Sequence, residues 1–225
     1  PAEQAVMARL TIFRSGFDLE AAEQVAGATL PLLAGLIDKS FVRLNANGRY
    51  DLHELLRQFV AKSLDDESTV MQRHFDYFLM LAEQAEAHQF GYEQIPWFDR
   101  MEVEFDNLRT ALAWSLQIED AEAGLQLASA LGWFMCERAH WTEGLAWFER
   151  LFAANPVLSA SLHSKALHSS GALAGMLGDT PRAEALLHQA LVLARGANDR
   201  WNTAWSLAHL GMYWDRDFTE RIPIL

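Results

Sequence analysis

The side chains able to do chemistry in this chain do not assemble into a reaction centre. Cys136 is the only cysteine, so no intrachain disulfide can form and a cysteine-based zinc site has no support. His163 and His168 stand five apart, off the i, i+4 spacing that puts two imidazoles on one helix face. There is no H-E-x-x-H run, and Ser169-Ser170-Gly171 follows no strand and lacks a nucleophile-elbow frame. No G-x-x-x-x-G-K-[S/T] loop is present to cradle phosphate. The many carboxylates fall on helix faces that read as solvated. The chain is expected to be non-catalytic and to hold no metal.

The aromatic side chains point instead to binding. All eight tryptophans lie at or after Trp97. Most are expected to be wedges between packed helices, with a minority facing a groove. In stacked helix hairpins the first helix of each pair lines the inner side. That rule nominates Trp133, Cys136, Glu137, Lys165, His168 and Trp205 as a partner or effector groove. Trp133 and Trp205 lead, because aromatic side chains commonly anchor partners.

The elements that must position these residues show an internal repeat. Leu131-Gly132 opens one unit, with Gly144, Phe148, Leu151 and Pro156 at the later offsets of a tetratricopeptide pattern. Gly171 opens a second unit, with Gly178-Asp179 at the turn and Ala183, Leu187 and Ala190 following. Leu210-Gly211 opens a third, which the chain is expected not to complete. The glycines are 39 and 40 residues apart, against about 34 in the standard repeat, so loops or helices must be extended. Each hairpin buries its faces only by stacking on the next, with Gly and Ala allowing close approach.

Ahead of the repeats the pattern differs. Asp18 can cap a helix through Ala21, Ala22, Val25 and Ala26, and Gly27 is a natural stop. Thr29 caps a second, Leu30 to Asp38, with Pro31 in its first turn. Phe41-Val42-Arg43-Leu44 and Arg49-Tyr50-Asp51-Leu52 flank an Asn-Gly turn, a strong hairpin signal. His53 to Ser63 returns to helix with Leu55, Leu56, Phe59 and Val60 on one face. This is a winged-helix layout. The would-be recognition helix, Leu30 to Lys39, carries only Asp38 and Lys39 as charged residues, so DNA reading by this head is not expected. The fold expected is mainly all-α: a winged-helix-like head with a short β-hairpin, then an α-solenoid of tetratricopeptide-like hairpins. The expected divisions are a head at 1–67, linking helices at 68–120 and repeats at 121–225.

Composition bounds the partners. Apolar residues make up 51% and charged residues 21% of 225, ordinary for a globular protein. Residues 1–70 carry 7 basic and 10 acidic side chains, and residues 71–225 carry 11 and 20. Neither half has the basic footprint of a phosphate-backbone binder. No stretch is apolar enough to span a membrane, and no signal peptide opens the chain. One cysteine fits a reducing, cytoplasmic setting. The lack of an initiator Met reads as an excised fragment.

Three runs then carry a resemblance. They are Phe13-Arg14-Ser15-Gly16-Phe17-Asp18-Leu19-Glu20-Ala21-Ala22, Leu36-Ile37-Asp38-Lys39-Ser40, and Arg49-Tyr50-Asp51-Leu52-His53-Glu54-Leu55-Leu56-Arg57-Gln58-Phe59. In this order they resemble the region just after the nucleotide-binding domain of bacterial STAND-type (AP-ATPase-like) transcriptional regulators of the LuxR/MalT-like class. Met101 to Leu112 resembles the linking segment ahead of that family's repeats. The resemblance implies a non-catalytic sensor and scaffold segment of a transcriptional regulator. Its repeats would bind a protein or small-molecule effector, and its head would couple to a neighbouring ATPase domain of the same chain. It also implies ATP or ADP for the full-length protein, with no cofactor in this segment. Leu52-His53-Glu54 stands where relatives carry Met-His-Asp, which implies a nucleotide-sensing role for His53 beside that ATPase domain; a local helix-starting role is the alternative. A free-standing tetratricopeptide adaptor remains a competing reading, and a winged-helix DNA binder a weaker one.

Overall fold

The computed structural model describes residues 2–213. The expectations for Trp214, for Arg216 to Leu225 and for completion of the third hairpin lie outside the described residues. The fold is mainly helical, with one two-stranded antiparallel sheet. The chain divides into two compact units, residues 1–119 and residues from 120 onward.

The first unit begins with α1 (Ala2–Leu10), a short α2 (Leu19–Ala21) that continues as a π-helical turn (Ala22–Ala26), and α3 (Leu30–Asp38). Asp18 Oδ1 accepts from Ala21 N–H at 2.8 Å, and Gly27 ends the turn at φ +66°, a conformation that glycine adopts freely. Thr29 occupies the N-cap of α3, but its side chain makes no capping bond. Strands β1 (Val42–Leu44) and β2 (Tyr50–Leu52) pair Val42 with Leu52 around the Asn-Gly turn, where Gly48 has φ +77°. Next come α4 (Glu54–Val60), which ends in a 3₁₀ turn (Ala61–Ser63), α5 (Glu67–Ala87), α6 (Gln94–Val103) and α7 (Phe105–Gln117). Helix α6 takes in Pro96 in its first turn.

An aromatic core joins the head to α5. Phe13 lies 4.8 Å from Phe17 and 6.5 Å from Phe78, and Phe17 stacks on Tyr50 of β2 at 5.9 Å. Polar bonds then tie the Arg14–Gly16 turn to α7. Asn107, fully buried, accepts from Arg14 N–H at 2.7 Å and donates to Gly16 O at 3.1 Å and to Glu104 at 2.7 Å. Buried Glu104 also pairs with Arg49 next to the β-turn.

One expectation inverts. The apolar face read in α4 points mostly outward: Leu55 is 72% and Phe59 76% exposed. The inward residue is Arg57, which donates to the Thr11 and Phe13 carbonyls and reaches Asp51 at 3.2 Å. Arg14 Nη1 also donates to both carbonyls, at 2.8 and 3.4 Å, and with the Arg57 guanidinium on the core side beside it, Leu55 and Phe59 are turned out.

The second unit stacks α8 (Ala121–Ala130), α9 (Gly132–Glu137), α10 (Trp141–Ala153), α11 (Ala160–Met176), α12 (Thr180–Gly196) and α13 (Arg200–Tyr213). Helices α8 and α9 break only at Leu131, so together they form the first helix of a hairpin closed by α10. Helices α11 and α12 form the next hairpin, and α13 opens the third. The turns share one device. Glu119, Ala139, Gly178 and Asn198 take left-handed φ of +56° to +83°, each just before the residue that starts the next helix. Asp120, Asp179 and Asp199 then cap Ala123, Arg182 and Asn202.

Two of the three repeat glycines sit where helices meet closely, whereas a Cβ on Gly211 would have nothing within 4 Å among the described residues. A Cβ on Gly132 would lie 2.5 Å from Ser169 Oγ, and one on Gly171 would lie 2.9 Å from Leu187 Cγ. The long period has two sources: α11 and α12 run 17 residues each, whereas the first hairpin gains its length in the loop from 154 to 159.

Candidate functional site

Helices α9, α11 and α13 are the first helices of three successive hairpins, and they share one face. Trp133 of α9 and Trp205 of α13 meet with ring centroids 5.9 Å apart. His168 of α11 lies 6.3 Å from Trp205. Three of the six nominated groove residues therefore come together. Two residues not nominated from the sequence complete the cluster. His209 lies 5.8 Å from Trp205 and 6.2 Å from Trp133, and Trp201 meets Trp205 edge-on at 6.0 Å. Trp201, Trp205 and His209 follow i, i+4, i+8 spacing, a helical stripe that could have revealed them.

The centre of the cluster is an imidazole pair. His168 Nε2 and His209 Nδ1 are 2.6 Å apart. The ring centroids are 4.7 Å apart, close to the separation of two imidazoles meeting nitrogen to nitrogen rather than face on face. Burial, and then the charge of His209, push His168 down to about 3; burial lowers His209 as well. At neutral pH the pair is uncharged, one nitrogen donating and the other accepting.

The other nominated residues differ. Cys136 is buried, and burial raises its thiol to about 12, so it acts as a small apolar side chain rather than a nucleophile. Glu137 is exposed at the end of α9, and Lys165 is half-buried about one turn before His168. Among the seven described tryptophans only Trp114 and Trp147 are buried. Trp97, Trp133, Trp141 and Trp205 are half-buried and Trp201 is exposed, so the expectation that most would be core wedges does not hold. No group of three metal-ligating side chains occurs among the described residues.

In the first unit His53 is exposed at the N-cap of α4, where Nδ1 accepts from Leu55 N–H at 3.3 Å. The same unit carries an apolar surface. An open cleft of about 920 Å³ is lined by Met7, Ala8, Phe41, Leu56, Phe59 and Val60, with Arg9, Asp65 and Asp66 on its rim. Helix α3 exposes Leu30, Pro31 and Ala34, and Lys39 beyond it pairs with Glu3. No described helix is long and apolar enough to cross a membrane.

No protein-family model matches the chain. Proteins of Mycobacterium bovis and of two strains of Mycobacterium tuberculosis are 35% identical to it over 218 residues, covering 88% of the chain. Their names provisionally describe HTH-type transcriptional regulators. The chain spans about a quarter of the length of these curated relatives, 24%. Among solved structures, the chain is similar to a STAND (signal transduction ATPase with numerous domains) protein with a tetratricopeptide repeat sensor from Pyrococcus horikoshii. That likeness covers 95% of this chain and 47% of the other, at 12% identity and a TM-score of 0.33, too distant to carry an argument.

Proposed function

We propose that the chain is a non-catalytic sensor and scaffold segment of a transcriptional regulator. Its hairpins bind a protein or small-molecule effector through the face formed by α9, α11 and α13. The observation that carries the reading is the convergence of Trp133, His168 and Trp205 from three successive first helices. Partly exposed aromatic rings with neutral imidazole donors and acceptors beside them suit recognition better than catalysis. The names of the mycobacterial relatives support the regulatory part.

The head serves as the coupling element. Its exposed Leu30, Leu44, Leu55 and Phe59 form more apolar surface than a solvated head needs, which favours packing against a neighbouring ATPase domain. In that setting His53, whose Nε2 lies outside its capping bond, donates to nucleotide phosphate. Titration of the 225-residue chain with ATP and magnesium, followed by calorimetry, tests the division of labour. Negligible binding is expected. Tight, magnesium-dependent binding would show that the chain carries a nucleotide site of its own and would refute the scaffold reading.

A further inference from the structure

We propose that the His168–His209 pair is a proton-sensitive latch, holding α13 against α11 at neutral pH and releasing it as the pH falls. The inference rests on the groove reading only for its consequence, since opening the latch would reshape the face assigned to the effector.

The geometry sets the chemistry. With 2.6 Å between His168 Nε2 and His209 Nδ1, one hydrogen fits between the rings. The closed pair needs one protonated and one bare nitrogen at the junction, so two imidazolium ions cannot face each other there. A single added charge must also sit beside Trp133 and Trp205, where His209 is buried and His168 part-buried. The ring quadrupoles soften that cost without replacing the lost hydration. Charged side chains on the surrounding helices, among them Glu137 on α9, Lys165 on α11, Arg195 on α12 and Arg200 on α13, shift neither histidine. Burial does, with the mutual repulsion of the pair added at His168.

Opening exposes both imidazoles, which return toward the ordinary value of about 6.5. The open state then binds protons that the closed state rejects, so acid favours opening and the profile is flat above about pH 7. Between pH 7 and pH 5 a histidine that is ordinary when open and refuses the proton when closed, as His168 does, shifts such an equilibrium about 25-fold, and His209 adds to that shift.

Hydrogen exchange of the α13 amides, corrected for intrinsic rates between pH 5 and 7.5, reads the latch directly, with α12 as the reference for unfolding of the whole unit. Opening of α13 should rise at least about 25-fold relative to α12 as the pH falls to 5. The rise should shrink in His168→Gln and in His209→Gln and vanish in the double variant. Opening that is independent of pH, or a double variant that keeps the wild-type slope, overturns the proposal. NMR titration of the unmodified chain provides a second reading: both ring signals should titrate below the ordinary histidine value while folded, His168 far below it, and an ordinary titration near 6.5 for both overturns the latch. Neither measurement uses an effector. A flat profile therefore leaves the groove reading standing, and failure to find an effector leaves the latch standing.

Discussion

Replacing Asn107 by Ala tests whether the head is clamped to α7 through one side chain. Asn107 satisfies the Arg14 N–H and the Gly16 carbonyl at once and gives a third bond to Glu104. Alanine leaves those two backbone groups without a partner in a place that water reaches poorly. Each orphaned buried group costs about 1–3 kcal/mol, so the first unit should lose roughly 2–4 kcal/mol. At roughly 4 °C per kcal/mol for a unit of this size, its melting temperature should fall by roughly 8–16 °C. The neighbouring Asp106→Asn supplies the control. Asp106 bonds Ser15 and Arg109 at a half-exposed surface site, and its loss should cost less than about 1 kcal/mol. Urea denaturation with hydrogen exchange read separately in each unit resolves the effect. An Asn107→Ala protein within about 0.5 kcal/mol of wild type would refute the clamp, and so would equal losses in both variants.

Two further outcomes follow from the same coordinates. Gly132→Ala should destabilise the second unit by about 1–3 kcal/mol, because its Cβ would meet Ser169 at 2.5 Å, whereas Gly211→Ala, with nothing within 4 Å, should be neutral or stabilising by up to about 1 kcal/mol; thermal melts of the two variants check the contrast. His74 is fully buried between Phe13 and Phe78, and burial holds it down to about 3. The unfolded chain therefore takes up a proton near pH 6.5 that the folded chain refuses. The stability is whole above that pH and is lost toward pH 3, by about 2 kcal/mol at pH 5. Denaturation midpoints measured against pH should show this slope, and His74→Phe should reduce it.

Local signals in the sequence carried much of the fold. The Asp18 cap, the Gly27 stop and the Asn-Gly hairpin each depend on a few adjacent residues, and each stands where its chemistry puts it. Gly171 and the Ala183–Leu187 pair were legible for the same reason, since small residues at fixed offsets imply backbone approach. Long-range choices were not legible. Nothing near Arg57 in sequence announces the Thr11 and Phe13 carbonyls that draw it inward, so the apolar run around it was assigned to the wrong side. His209 escaped notice because its partner, His168, is 41 residues away. Trp133, Trp205 and His168 were found because a repeat converts distant positions into equivalent ones.

The close approach at Gly132 and the aromatic cluster are one structural fact seen twice. Trp133 and Trp205 belong to hairpins separated by a whole repeat, with α11 between them, yet their rings lie 5.9 Å apart. Such reach requires α9 to sit almost against α11, and the absence of a side chain at Gly132, over Ser169, permits it. Bulk added at Gly132 must push α9 away from α11 and carry Trp133 away from Trp205. Gly132→Ala should therefore do more than lower stability: at temperatures where the unit remains folded, it should shift tryptophan emission toward that of a wetter indole. Gly132→Ala with Ser169→Gly should recover both stability and emission, because the second substitution removes the atoms that the new Cβ meets. Recovery of stability without recovery of emission would separate the two and show that the cluster is positioned by something other than this contact.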